Sequence, residues 1–336
     1  MKTTLTSAIA IVLACCLVAC GDRGKTGHGE KDPVTISVVG TNDVHGRMSG
    51  HNGAGGLALF GGYVANLREA RAADSGAMLL LGAGDMWQGT LESNIAEGAP
   101  MVAAYNALGY DAVAIGNHEF DFGPEGPAAM PQSDDDDPRG ALKARAAEAG
   151  FPFLAANLID ETSGQPVDWP NVRPSYRIDA AGVAIGIIGL TSENTLSTTL
   201  SDNVVGLRMA DLAQTIRGEA EKLRADGAEL VIVTAHAGGE CTDFDDPHDL
   251  SACDPDSEIF RVARSLPEGF VDLIIAGHIH KGIAHEVNGI AVISSWSGGL
   301  AFGRVDFVLV DGKVIERKIF SPQRICGAVV QETGEC

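Results

Sequence analysis

Ala112-Val113-Ala114-Ile115-Gly116-Asn117-His118-Glu119-Phe120-Asp121 runs from an unbroken apolar stretch, through a glycine, into a cluster of polar side chains that can ligate a metal. A short apolar run bounded by glycine reads as a strand buried on both faces. Polar residues just past the end of such a strand lie where open α/β sheets assemble their ligand sites. The arrangement recurs along the chain. Asp43 and His45 lie beyond the run 36–39, Gly84-Asp85 beyond 78–81, His236 beyond 230–234, and His278 and His280 beyond 273–276. Asp, His and Asn brought from distant segments to one sheet edge can converge on divalent cations. The expectation is a two-metal hydrolytic site.

Further apolar runs at 153–156, 183–190, 291–293 and 305–310 alternate with stretches of helical character at 57–73, 100–108, 139–149, 210–225 and 257–266. Pro100 suits the first turn of its helix, and Gly109 and Gly227 suit helix ends. Strands alternating with helices predict an α/β protein with largely parallel pairing. Asp311-Gly312 is a hairpin signal, so the run 314–319 should return antiparallel to 305–310. No Pro- or Ser-rich linker interrupts 33–320, which predicts a single domain at 34–320 and a tail at 321–336.

Each candidate residue has a local reading. Asp43 and His45 are two apart, so an extended chain would present both on one face. Asp85 follows a Gly-Ala-Gly turn, from which a carboxylate can reach over the sheet edge and bridge two cations, or cap a helix. Asn117 offers an amide oxygen, an uncommon but workable ligand. His118 should face the substrate, with Asp121 hydrogen-bonding it and favouring its cationic form. Glu119 reads as a supporting group. Trp87 and Trp296 either offer stacking faces to a substrate or pack over sheet ends.

Asn42-Asp43-x-His45, Gly84-Asp85-x-x-x-Gly89, Gly116-Asn117-His118-Glu119-Phe120-Asp121 and Gly277-His278-x-His280 together resemble the calcineurin-like metallophosphoesterase superfamily. Within it, the Asn-Asp-x-His-Gly opening and the Gly-Asn-His-Glu-Phe-Asp block are most similar to the 5′-nucleotidase family. The likeness covers about residues 34–320 in the same order. It implies a four-layer αββα sandwich with two divalent metals, zinc, manganese, cobalt or iron, between the strand ends. One metal would take Asp43, His45, Asp85 and His280, and the other Asp85, Asn117, His236 and His278. A water activated between them would attack a phosphate ester, with His118 and Asp121 assisting and Asn117 also near the substrate. The implied substrate is a nucleotide phosphomonoester. Cyclic phosphodiesters, or the sulfur compounds cleaved by related thiosulfohydrolases, are alternatives. His280 stands where many 5′-nucleotidases have glutamine. Those enzymes also carry a C-terminal domain that clasps the base, which this sequence is expected to lack.

Lys2 and the apolar stretch 8–19 read as a secretory signal too short to span a bilayer. Leu17-Val18-Ala19-Cys20 resembles a bacterial lipoprotein signal, which predicts a lipid anchor on Cys20 and a flexible tether over 20–33, holding the protein at the cell envelope. Cys241, Cys253, Cys326 and Cys336 then suggest disulfides, for which three pairings are open, the local one being Cys241–Cys253 with Cys326–Cys336. A formal charge of −21 argues against binding a nucleic-acid polymer. The acidic run 134–137 reads as a solvated loop.

Overall fold

The computed structural model describes residues 32–51 and 55–326. The predicted signal segment, the lipidated Cys20 and most of the tether lie outside them, as does Cys336 of the second predicted disulfide. The first half of the fold runs β1 (Val34–Thr41), α1 (Gly56–Ala73), β2 (Ala77–Gly82), α2 (Leu91–Asn94), α3 (Ala99–Leu108), β3 (Ala112–Ala114) and α4 (Gly140–Glu148). Short strands follow: β4 (Phe153–Leu154), β5 (Leu158–Asp160), β6 (Val172–Arg173) and β7 (Ser175–Ala180). Next come β8 (Val183–Thr191), β9 (Leu207–Met209), α5 (Leu212–Ala225), β10 (Leu230–His236), α6 (Glu258–Ser265) and β11 (Leu273–Ala276). The chain closes with β12 (Gly282–Val287), β13 (Ile290–Ser295), β14 (Ala301–Val310) and β15 (Lys313–Arg324).

Two sheets result, ordered β15-β14-β1-β2-β3-β4-β6 and β12-β13-β11-β10-β8-β7, beside a small β5-β9 pair. Their interiors are parallel: β1 with β2, β2 with β3, β8 with β10 and β10 with β11. Antiparallel pairing is confined to β7, β12 and the β14–β15 hairpin at the margins, and to the β5–β9 pair.

Alternation along each strand builds the layers. Ile36 and Val38 of β1, and Leu230 and Ile232 of β10, point between the sheets, where they meet Leu79, Ile275 and Phe307. Val39 turns the other way, onto Phe60 of α1 and Tyr105 of α3. Val231 and Val233 likewise turn onto Ile216 of α5 and Phe260 of α6. Both faces of each sheet are therefore covered, as parallel sheets require, and the order of layers is α, β, β, α.

The Asp311-Gly312 turn has both residues at positive φ, 48° and 73°, the hairpin geometry that matches strand twist. One boundary moves. β15 continues past Phe320 to Arg324, and Ile325 beyond it is buried, with its carbonyl accepting from the Gly55 N–H at 2.7 Å. The predicted tail therefore belongs to the domain at least to Ile325, because Gln323 and Arg324 pair through their backbone with Phe302 and Ala301. The predicted Cys241–Cys253 disulfide is formed. Most of the acidic run 134–137 is exposed, as expected. No helix among the described residues is long and apolar enough to cross a membrane.

Candidate metal centre

Loops from the same end of both sheets supply the candidate ligands. Asp43 and His45 follow β1, Asp85 follows β2 and Asn117 follows β3. His236 ends β10, and His278 and His280 follow β11. The β1 and β2 loops continue the ladder beyond their strands: Asp43, His45 and Gly46 N–H groups donate to the carbonyls of Gly84, Asp85 and Met86 at 3.0–3.1 Å.

Asp43 and His45 do not reach the site through extended chain as predicted. Both sit at left-handed φ, 50° and 51°, so a tight turn aims them, because two extended residues would carry the chain past the edge. Asp85 (52°), His278 (75°) and His280 (58°) share this conformation. It costs an L-residue about 1–2 kcal/mol, with Asp and His among the residues that tolerate it best. Strain of this kind persists only where surroundings enforce it, and it clusters at functional sites.

The glycines of the motifs allow close approach. A Cβ on Gly116 would lie 2.2 Å from Asp85 Oδ1, and one on Gly84 would lie 2.6 Å from His236 Nδ1. Glu119 fastens two of the loops together. Its buried carboxylate accepts from the N–H groups of Gly116 (2.6 Å), Asp85 (2.8 Å) and Met86 (2.8 Å). Burial and the neighbouring Asp85 charge push this carboxyl up to about 7, against the pull of those N–H bonds. Asn42 does similar work from the other side, donating to Asp43 Oδ2 at 2.7 Å and accepting from Ser295 N–H and Oγ at 2.9 Å.

All seven candidate ligands come together, in two groups joined by Asp85. In one, Asp43, His45, Asp85 and His280 offer ligand atoms within reach of a single ion. His45 Nε2 lies 3.0 Å from His280 Nε2 and 3.8 Å from Asp85 Oδ2, and His280 Nε2 lies 3.3 Å from Asp43 Oδ1. In the other, Asp85, His236 and His278 cluster. Asn117 Oδ1 joins them, 3.0 Å from His236 Nε2 and 3.0 Å from His278 Nδ1. Asp85 Oδ2 is 3.1 Å from His236 Nε2. Asn117 Nδ2 donates to the Thr198 carbonyl at 3.1 Å, which turns the amide oxygen toward the histidines.

The donor set fits divalent cations. His236 Nδ1 donates to the Ala83 carbonyl at 2.8 Å, so in the neutral ring Nε2 is a bare lone pair. It faces an amide oxygen, a carboxylate oxygen and a second ring nitrogen. His45 Nδ1 is tied in the same way to the Gln88 carbonyl at 2.8 Å, leaving its Nε2 aimed at His280 and Asp85. Converging lone pairs with few hydrogens between them repel unless positive charge sits among them. Burial works against charge on His236, yet Asp85 holds it up to about 10. Burial likewise works against the Asp85 carboxylate, but His236 carries it well below the usual range. A proton on His236 and a cation in front of it are alternative ways of balancing Asp85. Burial lowers both His45 and His278, keeping their lone pairs available.

His118 stands beside the first group, its ring centroid 5.2 Å from that of His45. Its N–H donates to Asp85 Oδ1 at 3.0 Å, and its Nδ1 lies 2.5 Å from Asp121 Oδ2. That bond, outweighing burial, raises His118 to about 9. Nδ1 is therefore committed and Nε2 is the nitrogen free to act. The Thr199 hydroxyl braces Asp121 Oδ1 at 3.0 Å. Thr198 and Thr199 carried no sequence signal, lying just past a 3-10 turn, Thr195–Ser197, in the connection between β8 and β9.

The two tryptophans part company. Trp87 is wholly buried against Phe153, with its indole N–H donating to the His118 carbonyl at 3.2 Å. It offers no face to a substrate, because the turn after Asp85 directs it into the core, and the stacking role expected for it is withdrawn. Trp296 is half-buried on the loop after β13, where its carbonyl accepts from Asn42 at 2.5 Å. Its ring already meets Phe244 edge-on at 5.8 Å and the Arg324 guanidinium at 5.6 Å.

Several known proteins are similar to this chain. The protein UshA of Yersinia enterocolitica is 30% identical over 88% of this chain and 52% of its own length. A 5′-nucleotidase of Vibrio cholerae is 27% identical over 94% of this chain and 55% of its own. The chain thus spans about half the length of the curated relatives it matches. Among solved structures, the calcineurin-like phosphoesterase YfkN of Bacillus subtilis superposes with a TM-score of 0.69 at 23% identity, covering 89% of this chain and 93% of that one, a likeness of fold. The profile of the calcineurin-like phosphoesterases matches residues 36–282, and the chain belongs to that family.

Proposed function

We propose that the protein is a metal-dependent phosphoric ester hydrolase acting on nucleotide monoesters, with Asp43, His45, Asp85 and His280 holding one divalent cation and Asp85, Asn117, His236 and His278 the other. The observation that carries this reading is the pair of lone-pair clusters joined through the buried Asp85 carboxylate. Cations bound there would polarise a phosphoryl oxygen and make water nucleophilic near neutral pH.

The chain's own groups supply the rest. Asp121 keeps His118 protonated, so Nε2 carries a proton that can be given to the departing ester oxygen. A positioned acid of this kind contributes about 10²–10⁴-fold. Asn117, with its Nδ2 tied to Thr198, would serve the second cation through its oxygen. Glu119 and Asn42 are buried and hold the loops in register.

The nucleotide preference is supported by the names of the half-length relatives. Action outside the cytoplasm is supported by the Cys241–Cys253 disulfide, since such bonds persist in oxidising compartments; a lipid anchor on Cys20 is supported by the Leu17-Val18-Ala19-Cys20 sequence alone.

The test is activity of chelator-stripped protein, reloaded with zinc, manganese, cobalt or iron, against nucleoside monophosphates, cyclic nucleotides, sugar phosphates and bis-(p-nitrophenyl) phosphate. Hydrolysis of monophosphates restored by metal is expected. Sulfate release from a thiosulfonated carrier with no ester cleavage would replace this reading.

A further inference from the structure

The loop from Cys241 to Cys253 lies along β12, the outermost strand of its sheet. The Cys241 N–H donates to the Gly282 carbonyl at 3.0 Å, and the Glu286 N–H donates to the Pro247 carbonyl at 2.7 Å. On the stretch of β12 between those contacts stands His285, 1% exposed, with the Phe244 ring of the loop 6.2 Å from its own. Ligand atoms of Cys241, Cys253 and His285 all lie within 4.8 Å of one another. None of the three belongs to the centre described above.

The chemistry of this cluster is that of a softer cation. Burial lowers the His285 pKa against the pull of the Asp243, Asp249 and Asp246 carboxylates, so the ring is neutral near pH 7 and keeps a lone pair. Its one hydrogen bond among the described residues is the Ala284 N–H reaching Nδ1 at 3.3 Å. An imidazole beside two sulfurs suits zinc, whereas the main centre offers only nitrogen and oxygen. The three carboxylates that act on His285 would also attract a cation entering the loop. Zinc holds thiolate at about 2.3 Å and imidazole at about 2.0–2.1 Å, which sets tetrahedral ligands roughly 3.5–3.8 Å apart. The cluster spans such distances once its sulfurs are no longer bonded to each other.

We propose that Cys241, Cys253 and His285 form a second, thiolate-bearing zinc site that opens when the disulfide is reduced, with water in the fourth position. A dithiol reductant supplies two electrons and two protons, becoming a disulfide itself, and the Cys241–Cys253 bond gives two thiols. Zinc then displaces both thiol protons into solvent. Disulfide and zinc are alternative clasps that hold the loop on β12, and each excludes the other. No Cys-x-x-Cys spacing announces the site, because its third ligand comes from a distant strand.

The experiment uses cobalt(II) as a spectroscopic stand-in for zinc. Sulfur-to-cobalt charge transfer in the near ultraviolet reports thiolate ligands, and the donors of the main centre give none. The full chain is titrated oxidised, and again after reduction with dithiothreitol and desalting under argon. Reduced wild type is expected to show the band and to lose it when zinc is added, and oxidised wild type to show none. His285→Ala, checked for native thermal unfolding, is expected to weaken the cobalt affinity behind the band by about tenfold or more, the least that losing even an orienting partner costs. The other cysteines are unchanged in that variant, so a band they produce survives it. A second readout needs no variant: zinc on reduced wild type should block re-formation of the Cys241–Cys253 bond in air, followed by peptide mass mapping, and a chelator should restore it. No band in reduced wild type, equal cobalt affinity in His285→Ala, or re-formation at the same rate with and without zinc overturns the proposal.

Discussion

Replacing Glu119 by glutamine tests whether the loops are held as the structure indicates. The carboxylate is buried and accepts three backbone N–H groups, two on Oε2 and one on Oε1. Glutamine has the same shape but only one acceptor oxygen. Placed to serve Gly116 and Asp85, it turns its NH₂ toward the Met86 N–H, donor against donor at a separation that is now 2.8 Å. A hydrogen bond to a charged acceptor is worth about 1.5–3 kcal/mol, and an unsatisfied buried donor costs about 1–3 kcal/mol. Glutamine also relieves the repulsion between the Glu119 and Asp85 carboxylates that raises the Glu119 pKa, which returns part of the loss. The net expectation is a destabilisation of about 2–3 kcal/mol, or a fall in Tm of roughly 4–6 °C for a chain of this size. Calorimetry would measure it on chelator-treated protein, so that metal affinity does not enter. Metal stoichiometry after reloading should fall as well, because the bond to the Asp85 N–H sets where that ligand stands. A Tm within about 1 °C of wild type, with full metal content, would refute the view that Glu119 ties the two loops together.

Other consequences are open to direct measurement. Asp85→Asn should reduce bound metal at both groups rather than one, read by elemental analysis after gel filtration; loss of a single ion would break the shared-carboxylate arrangement. Chelation of the loaded wild type should lower its Tm, since cations present at about a hundredfold over Kd stabilise the folded state by about 2.7 kcal/mol. His118→Ala should keep its metal and slow turnover by about tenfold or more, and near-normal turnover on AMP would remove His118 from the chemistry. Cys241→Ser should cost about 2–3 kcal/mol in urea unfolding, for a loop whose ends are 12 residues apart, with no effect under reducing conditions.

Much of this was legible in the sequence for one physical reason: strands buried on both faces must be apolar throughout. That is why the run 273–276 coincides with β11, and why the ligands could be found by looking just past such runs. Where that constraint lapses, so does the signal. β7, Ser175–Ala180, lies at a sheet margin with no fully buried residue and reads as polar loop. β12 is buried but contains His285 and Glu286, and its pairing with β13 supplies what its composition does not advertise. The left-handed turns at Asp43 and His45 left no mark either, since they are imposed by bonds to the β2 loop from a distant segment. Trp87 stayed open between stacking and packing because sequence adjacency to Asp85 says nothing about which side of a tight turn a ring will take. Thr198 and Thr199 reach Asn117 and Asp121 by tertiary contact alone.

The ligands are drawn from both halves of the sandwich. Asp43, His45, Asp85 and Asn117 hang from one sheet, while His236, His278 and His280 hang from the other. Each ion would thus act as a rivet through two plates whose facing surfaces are mostly apolar, with a few polar bonds such as Thr234 Oγ1 to the Gly82 carbonyl between them. Stripping it should let that rim of the molecule breathe while the opposite rim stays shut. Amide hydrogen exchange would then quicken at the 43–46, 84–86 and 277–280 loops together, as one cooperative seam rather than three separate ones.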